Sequence, residues 1–138
     1  MQRNLVLILA RDLADKLASA VFVVDAEGRI VFFNERAEQI MGRTYADVGA
    51  MDLERLLESF SPSDFEGRPL HPQDLPISIA LNERRPIHKA FRITRDQDQV
   101  DIGVTALPLF ARASQFVGAA ALFWLHEPDD ATQQNGGS

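Results

Sequence analysis

Cysteine is absent from the 138 residues, which removes disulfides, thiolate metal sites, cysteine nucleophiles and cysteine-linked chromophores from consideration. The absence fits a reducing compartment, and a cytoplasmic location is expected. Long hydrophobic runs are missing too. Leu5 to Ala10 is apolar, but Arg11 and Asp12 end it far short of the ~20 residues a membrane span needs, and no small-residue cleavage pattern follows. No membrane contact is therefore expected. Basic charge is scarce, with 14 Lys and Arg against 20 Asp and Glu and a net charge of −6. Binding a phosphate backbone needs clustered basic side chains. The one concentration, Arg84, Arg85, His88 and Lys89, suits the carboxyl-terminal end of a helix, whose dipole favours cations. Nucleic acid is not an expected partner. The glycines are scattered, so neither a dinucleotide fingerprint nor a phosphate loop is present.

What is present reads as one domain: 46% hydrophobic and 25% charged residues are ordinary for a globular core of this length. Val21–Val24 and Ile30–Phe33 are β-branched and aromatic runs, separated by Asp25–Gly28. An Asp that bonds forward and a Gly that takes a positive φ make this a hairpin turn. Asn34 stops the second strand and caps a helix whose apolar side is Ala37, Ile40 and Met41, and Gly42 closes it. Thr44 and Asp47 have capping-box spacing, and Asp52 caps a helix with Leu53, Leu56 and Leu57 on one face. Ser59 to Pro72 holds too much proline for a regular element. Leu75–Arg84 follows as a helix, with Asp74 the expected cap and Ile77, Ile79, Ala80 and Leu81 inward.

The last third changes period. Ile87–Thr94 and Val100–Ala106 alternate as half-buried strands around the polar turn Arg95–Gln99. Phe116–Leu125 is apolar at both parities, which predicts a central strand covered on both sides. These elements make an α+β domain over residues 19–126, preceded by an amphipathic helix within residues 1–18 and followed by a disordered tail or linker at 127–138. In the first helix Val6, Leu9, Ala10, Leu13, Ala14 and Leu17 form one stripe, while Leu5 and Ile8 fall beside the polar arc. Two apolar sides need two partners. One is the domain's own sheet and the other a second copy, with Leu5, Ile8, Leu9 and Leu13 as the expected homodimer contacts.

Little here carries bond-making chemistry. His71, His88 and His126 lack metal-ligand spacing. Asp96, Asp98 and Asp101 resemble a calcium loop only until Val100 and the missing glycine are noticed. Asp64 and Glu66 have no partner nucleophile, so an enzyme is not expected, and a small α+β enzyme is the least favoured alternative.

The order strand, Asp, Gly turn, strand, Asn, helix, Gly over residues 20–42 resembles the opening of a PAS domain, a sensory module of signalling proteins. The resemblance extends to about Trp124. Asp64-Phe65-Glu66-Gly67-Arg68-Pro69-Leu70 with Asp74-Leu75-Pro76 is similar to the family's helical crossover, and Ala106-Leu107-Pro108-Leu109 to its penultimate strand. It implies a five-stranded antiparallel sheet in the order 2-1-5-4-3, with short helices on one face. It also implies a signalling output in another domain or partner protein, since no output element is evident in the sequence. Ligands of the family sit between sheet and helices, which makes Phe22, Val24, Met41, Phe60, Leu75, Ile79, Phe91 and Val104 the expected lining of a pocket for a small apolar ligand. A core simply filled by these side chains, serving a ligand-free interaction module, is the alternative. Haem held through His71 is a further option that the resemblance raises, and cysteinyl-flavin chemistry is excluded by composition. Pro128 opposes direct continuation of the last strand into a helix, which favours transmission through the amino-terminal helix or a stand-alone dimerising role.

Overall fold

The computed structural model describes residues 6–9, 19–49, 51–112 and 114–126. Within these, five strands form one antiparallel sheet in the order β2-β1-β5-β4-β3, as the family resemblance implied. The strands are β1 (Ala20–Asp25), β2 (Ile30–Phe33), β3 (Ile87–Arg95), β4 (Asp98–Phe110) and β5 (Phe116–Leu125). Between β2 and β3 run four short helices, α1 (Glu35–Met41), α2 (Tyr45–Val48), α3 (Leu53–Ser59) and α4 (Pro76–Glu83), with a 3-10 turn at Pro72–Asp74. The helices cover one face of the sheet, and the main core lies between the two layers.

Local chemistry sets the element ends. In the β1–β2 turn, Asp25 Oδ1 accepts from the amides of Glu27 and Arg29 at 3.0 Å, and Gly28 takes φ 84°, a conformation that a Cβ penalises. Asn34 caps α1 by accepting from Ala37 N at 3.0 Å. The same oxygen accepts from Val21 N at 3.1 Å, and Nδ2 donates to Ser19 O at 2.9 Å. The far end of α1 stops at Gly42 in the left-handed region, and Arg95 of β3 donates to the carbonyls of Gln39 and Ile40, each at 2.7 Å. Thr44 and Asp47 form the reciprocal capping box of α2, and Asp52 caps α3.

Several details differ from the sequence expectation. Asp74 does not cap α4; it belongs to the 3-10 turn, and Leu75 holds the cap position without a side-chain bond. Pro76 at the helix start lacks an N–H in any case, which lowers the need for a capping acceptor. The β3–β4 hairpin is also longer than expected, with Arg95 pairing with Asp98 and only Asp96 and Gln97 left to turn. Polar side chains hid strand that projects beyond the core. In β5, the inward Ala119, Ala121 and Phe123 are buried, but the outward cover thins along the strand until Trp124 is 40% exposed. Of the first helix, residues 6–9 are helical, and the remaining expected positions up to 18 lie outside the described residues, as does the segment 127–138. Leu7 packs on the outer sheet face against the cluster of Val21, Val23 and Ala120, which leaves Ile8 and Leu9 more than half exposed.

Asn34 is only 6% exposed, so replacing it with an apolar residue strands buried donors and an acceptor. The expected cost of Asn34→Leu is about 2–4 kcal/mol. Urea unfolding checks it, and a loss under about 0.5 kcal/mol would show that the carboxamide is not needed.

Candidate functional site

A cavity of about 70 Å³ lies between the sheet and the helical layer. Its origin is visible in the strand register. On the inward face Phe22 of β1 stands opposite Ala121 of β5, which stands opposite Ala106 of β4. Ala121, small and central in the sheet, lines the hollow where a larger residue would fill it. Phe22, Phe123, Val104, Ile102, Phe91 and Ile93 form its floor, while Met41 of α1, Leu56 and Leu57 of α3, and Phe60, Pro62, Leu75, Pro76 and Ile77 form its roof.

Six of the eight residues expected from the sequence line this space: Phe22, Met41, Phe60, Leu75, Phe91 and Val104. Val24 and Ile79 do not. Val24 is fully buried but contributes to the packed core beside α1, and Ile79 is half-buried while Ile77 turns inward. Of the α4 residues expected inward, Ile77 and Ala80 are buried and Ile79 and Leu81 are half-buried. The helix begins at Pro76, and its rotational phase puts Ile77 and Ala80 toward the sheet. The most informative missed residue is Ala121. An alanine run at the centre of a strand destined to be covered was a legible sign of spare volume.

No polar atom lines the cavity. General acid–base or nucleophilic chemistry has nothing to act with there. Asp64 and Glu66 lie on the exposed loop before the 3-10 turn, where the side-chain hydrogen bond from Arg68 holds the Asp64 carboxyl below its usual range. That favours a fixed charge over a proton donor. Arg92 is raised by its side-chain hydrogen bond to Asp101. Among the described residues no group of three or more His, Asp or Glu could hold a metal ion. Haem does not fit: His71 is exposed at the start of the 3-10 turn and lines no part of the cavity. A macrocycle also needs far more room than this.

The described helices include none long and apolar enough to cross a membrane. On the outer sheet face Trp124 lies flat across Gly103, where an added Cβ would stand 2.7 Å from Nε1, and stacks on His88 at 5.7 Å. Leu107 and Trp124 remain about two-fifths exposed there.

A five-stranded antiparallel sheet carrying short helices over a small apolar space defines the class of protein as an α+β domain of one sheet layer and one helical layer. Residues 9–76 match the family model described as PAS domain. The chain is similar to the PAS domain from Bordetella pertussis BvgS, at 17% identity and TM-score 0.62 with 94% of each chain covered. It is similar to the PAS domain from the fruit-fly ELK potassium channel, at 14% identity and TM-score 0.67, covering 86% of this chain and 95% of that one. It is also similar to the PAS domain of nitrogen regulation protein NR(II) from Vibrio parahaemolyticus, at 14% identity and TM-score 0.59, covering 86% and 98%. No curated protein sequence matches. The chain belongs to the PAS domain family. PAS domains are generally regulatory sensor modules rather than catalysts, and the structural neighbours include domains of a two-component sensor histidine kinase and a fungal photoreceptor.

Ala121→Val adds two methyl groups to the free space that Ala121 lines. The expected result is unchanged or raised stability, by up to about 1 kcal/mol. An already filled core would instead lose about 1–3 kcal/mol from overpacking, and thermal unfolding distinguishes the two.

Proposed function

We propose that this chain is a sensory or regulatory PAS module of the cytoplasm that dimerises and takes a small apolar ligand in its core. The observation that carries the reading is the wholly apolar cavity of about 70 Å³ between sheet and helices. Water has no partners there, and an apolar cavity about twice this size holds benzene or xenon. The ligand class is accordingly a gas or a fragment of a few heavy atoms, held by shape and dispersion. A ligand that prefers one arrangement of helices over sheet shifts the population of that arrangement, and an output element elsewhere responds.

Dissolved xenon is the probe. Methyl spectra of the protein under xenon pressure are expected to show saturable shifts at Met41, Leu75 and Val104, which line the cavity. Their absence would favour the second reading, a ligand-free interaction module. The modest volume supports that alternative, because a core this nearly filled also suits a purely structural role.

Dimerisation is supported by the apolar surface left uncovered: Ile8 is 54% and Leu9 57% exposed, beside the helical turn that Leu7 anchors to the outer sheet face. Large apolar side chains gathered in this way mark interaction surfaces. Leu5 and Leu13, the other proposed contacts, lie outside the described residues. Leu9→Asp is expected to weaken self-association by about tenfold or more, since a carboxylate would be desolvated at the interface. Sedimentation of both forms at micromolar concentration measures it, and equal behaviour would count against this interface.

A further inference from the structure

The loop between α3 and the 3-10 turn is bonded to the sheet at both its root and its tip. At the root, Phe60 O accepts from Thr94 N at 2.7 Å, and Phe60 and Pro62 line the cavity. Next, Ser63 pairs with the free edge of β3, Ser63 N donating to Arg92 O at 2.9 Å and Arg92 N to Ser63 O at 2.8 Å. The tip is a self-bonded turn. Asp64 Oδ1 accepts from the amides of Glu66 and Arg68, and Arg68 Nε donates to Oδ2 at 2.7 Å. Such a turn carries Phe65 as a stiff unit.

Phe65 reaches round the sheet edge and stacks on His126, the residue just after β5, with ring centroids 5.4 Å apart and planes 12° from parallel. The Arg92 guanidinium stands 5.8 Å from the Phe65 ring centroid, and its Nε donates to Asp101 Oδ1 at 2.7 Å. Asp101 closes the circuit, its carbonyl accepting from His126 N at 2.8 Å. One arginine thus contacts the loop through its backbone, the loop's aromatic tip through its side chain, and the strand that holds His126.

We propose that residues 61–70 form a latch between the helical layer and the carboxyl-terminal exit of the sheet, with Phe65 as the bolt and His126 as the catch. Movement of the loop root beside the cavity and release of the chain at residue 126 are then one event. The latch needs no ligand to exist, so it stands whether or not the cavity is ever occupied. A single ring stack favours the closed arrangement by only about twofold to tenfold, a margin that a partner or a pull on the following segment can reverse. The coupling runs both ways by linkage.

Backbone amide hydrogen exchange in the 138-residue chain tests this. With Phe65→Ala, the amides of Ser63, Arg92 and His126 are all expected to exchange about fivefold faster, while Val23 and Ala120 keep their rates. His126→Ala, a change at the end of the sheet that leaves the core intact, is expected to accelerate Ser63 and Arg92 in the same way. The double variant should be no faster than the faster single variant, because one contact is removed twice. Unchanged Ser63 exchange in His126→Ala, or effects that multiply in the double variant, would overturn the latch. Should Phe65→Ala fail to fold, His126→Ala alone decides.

Discussion

The carboxamide of Asn34 is the constraint on which the arrangement rests. Its oxygen serves the amides of Ala37 and Val21, and its nitrogen serves Ser19 O. One side chain therefore ends β2, starts α1 and fixes the entry to β1. Because it is buried, the alternative to these bonds is unpaired polar groups in a low-dielectric interior, each costing about 1–3 kcal/mol. The angle at which α1 leaves the sheet follows from this. So does the placement of Met41 at the far end of α1, where Arg95 takes the helix's last carbonyls and ties them to the β3–β4 hairpin. The part of the cavity roof at Met41 is hung from these two points.

What lies under the roof depends on side-chain size. Strand β5 must be central to close the sheet between β1 and β4, and close packing on both faces suits small residues there. Gly118, Ala119, Ala120 and Ala121 supply them. The same economy leaves the inward face underfilled beside Phe22 and Ala121, and close packing limits how far the surrounding Leu, Ile and Phe side chains relax into the space. The cavity is thus a consequence of sheet closure. A fold that must place small residues at its centre has an apolar space available for a ligand without any polar group having to be desolvated.

The fold was legible in the sequence wherever a local interaction decides the geometry. Asp25 with Gly28, Asn34, the Thr44–Asp47 box and Asp52 each act within a few residues of their own position, and each was found where its chemistry predicts. Strand order was not contained in those local signals; it came from the resemblance to the PAS family, with the double-sided apolar character of β5 agreeing. The candidate site was legible by parity in the strands, where Phe22, Phe91 and Val104 face inward. It was less legible on α4, where Ile77 and Ile79 were both expected inward but only Ile77 lines the cavity. Contacts such as Phe65 on His126 join positions 61 apart in the chain through a loop with no periodicity, and no pattern in the residues announces them.

Transmission is the remaining physical question, and the two faces of the sheet answer it differently. The inner face meets the cavity; the outer face carries Leu7, Leu107, Leu122 and Trp124. Alternate residues of one strand point to opposite faces, so a displacement of β5 at Phe123 inside is also a displacement of Trp124 outside. Trp124 stacks on His88 and sits on Gly103, contacts that slide more readily than interlocked branched side chains. Pro128 opposes a rigid helical extension of β5, so motion of this strand is better read by whatever covers the outer face than by a rod continuing its axis. Under the proposed function the sheet would act as a thin partition, a change in filling on its inner side being felt on its outer side.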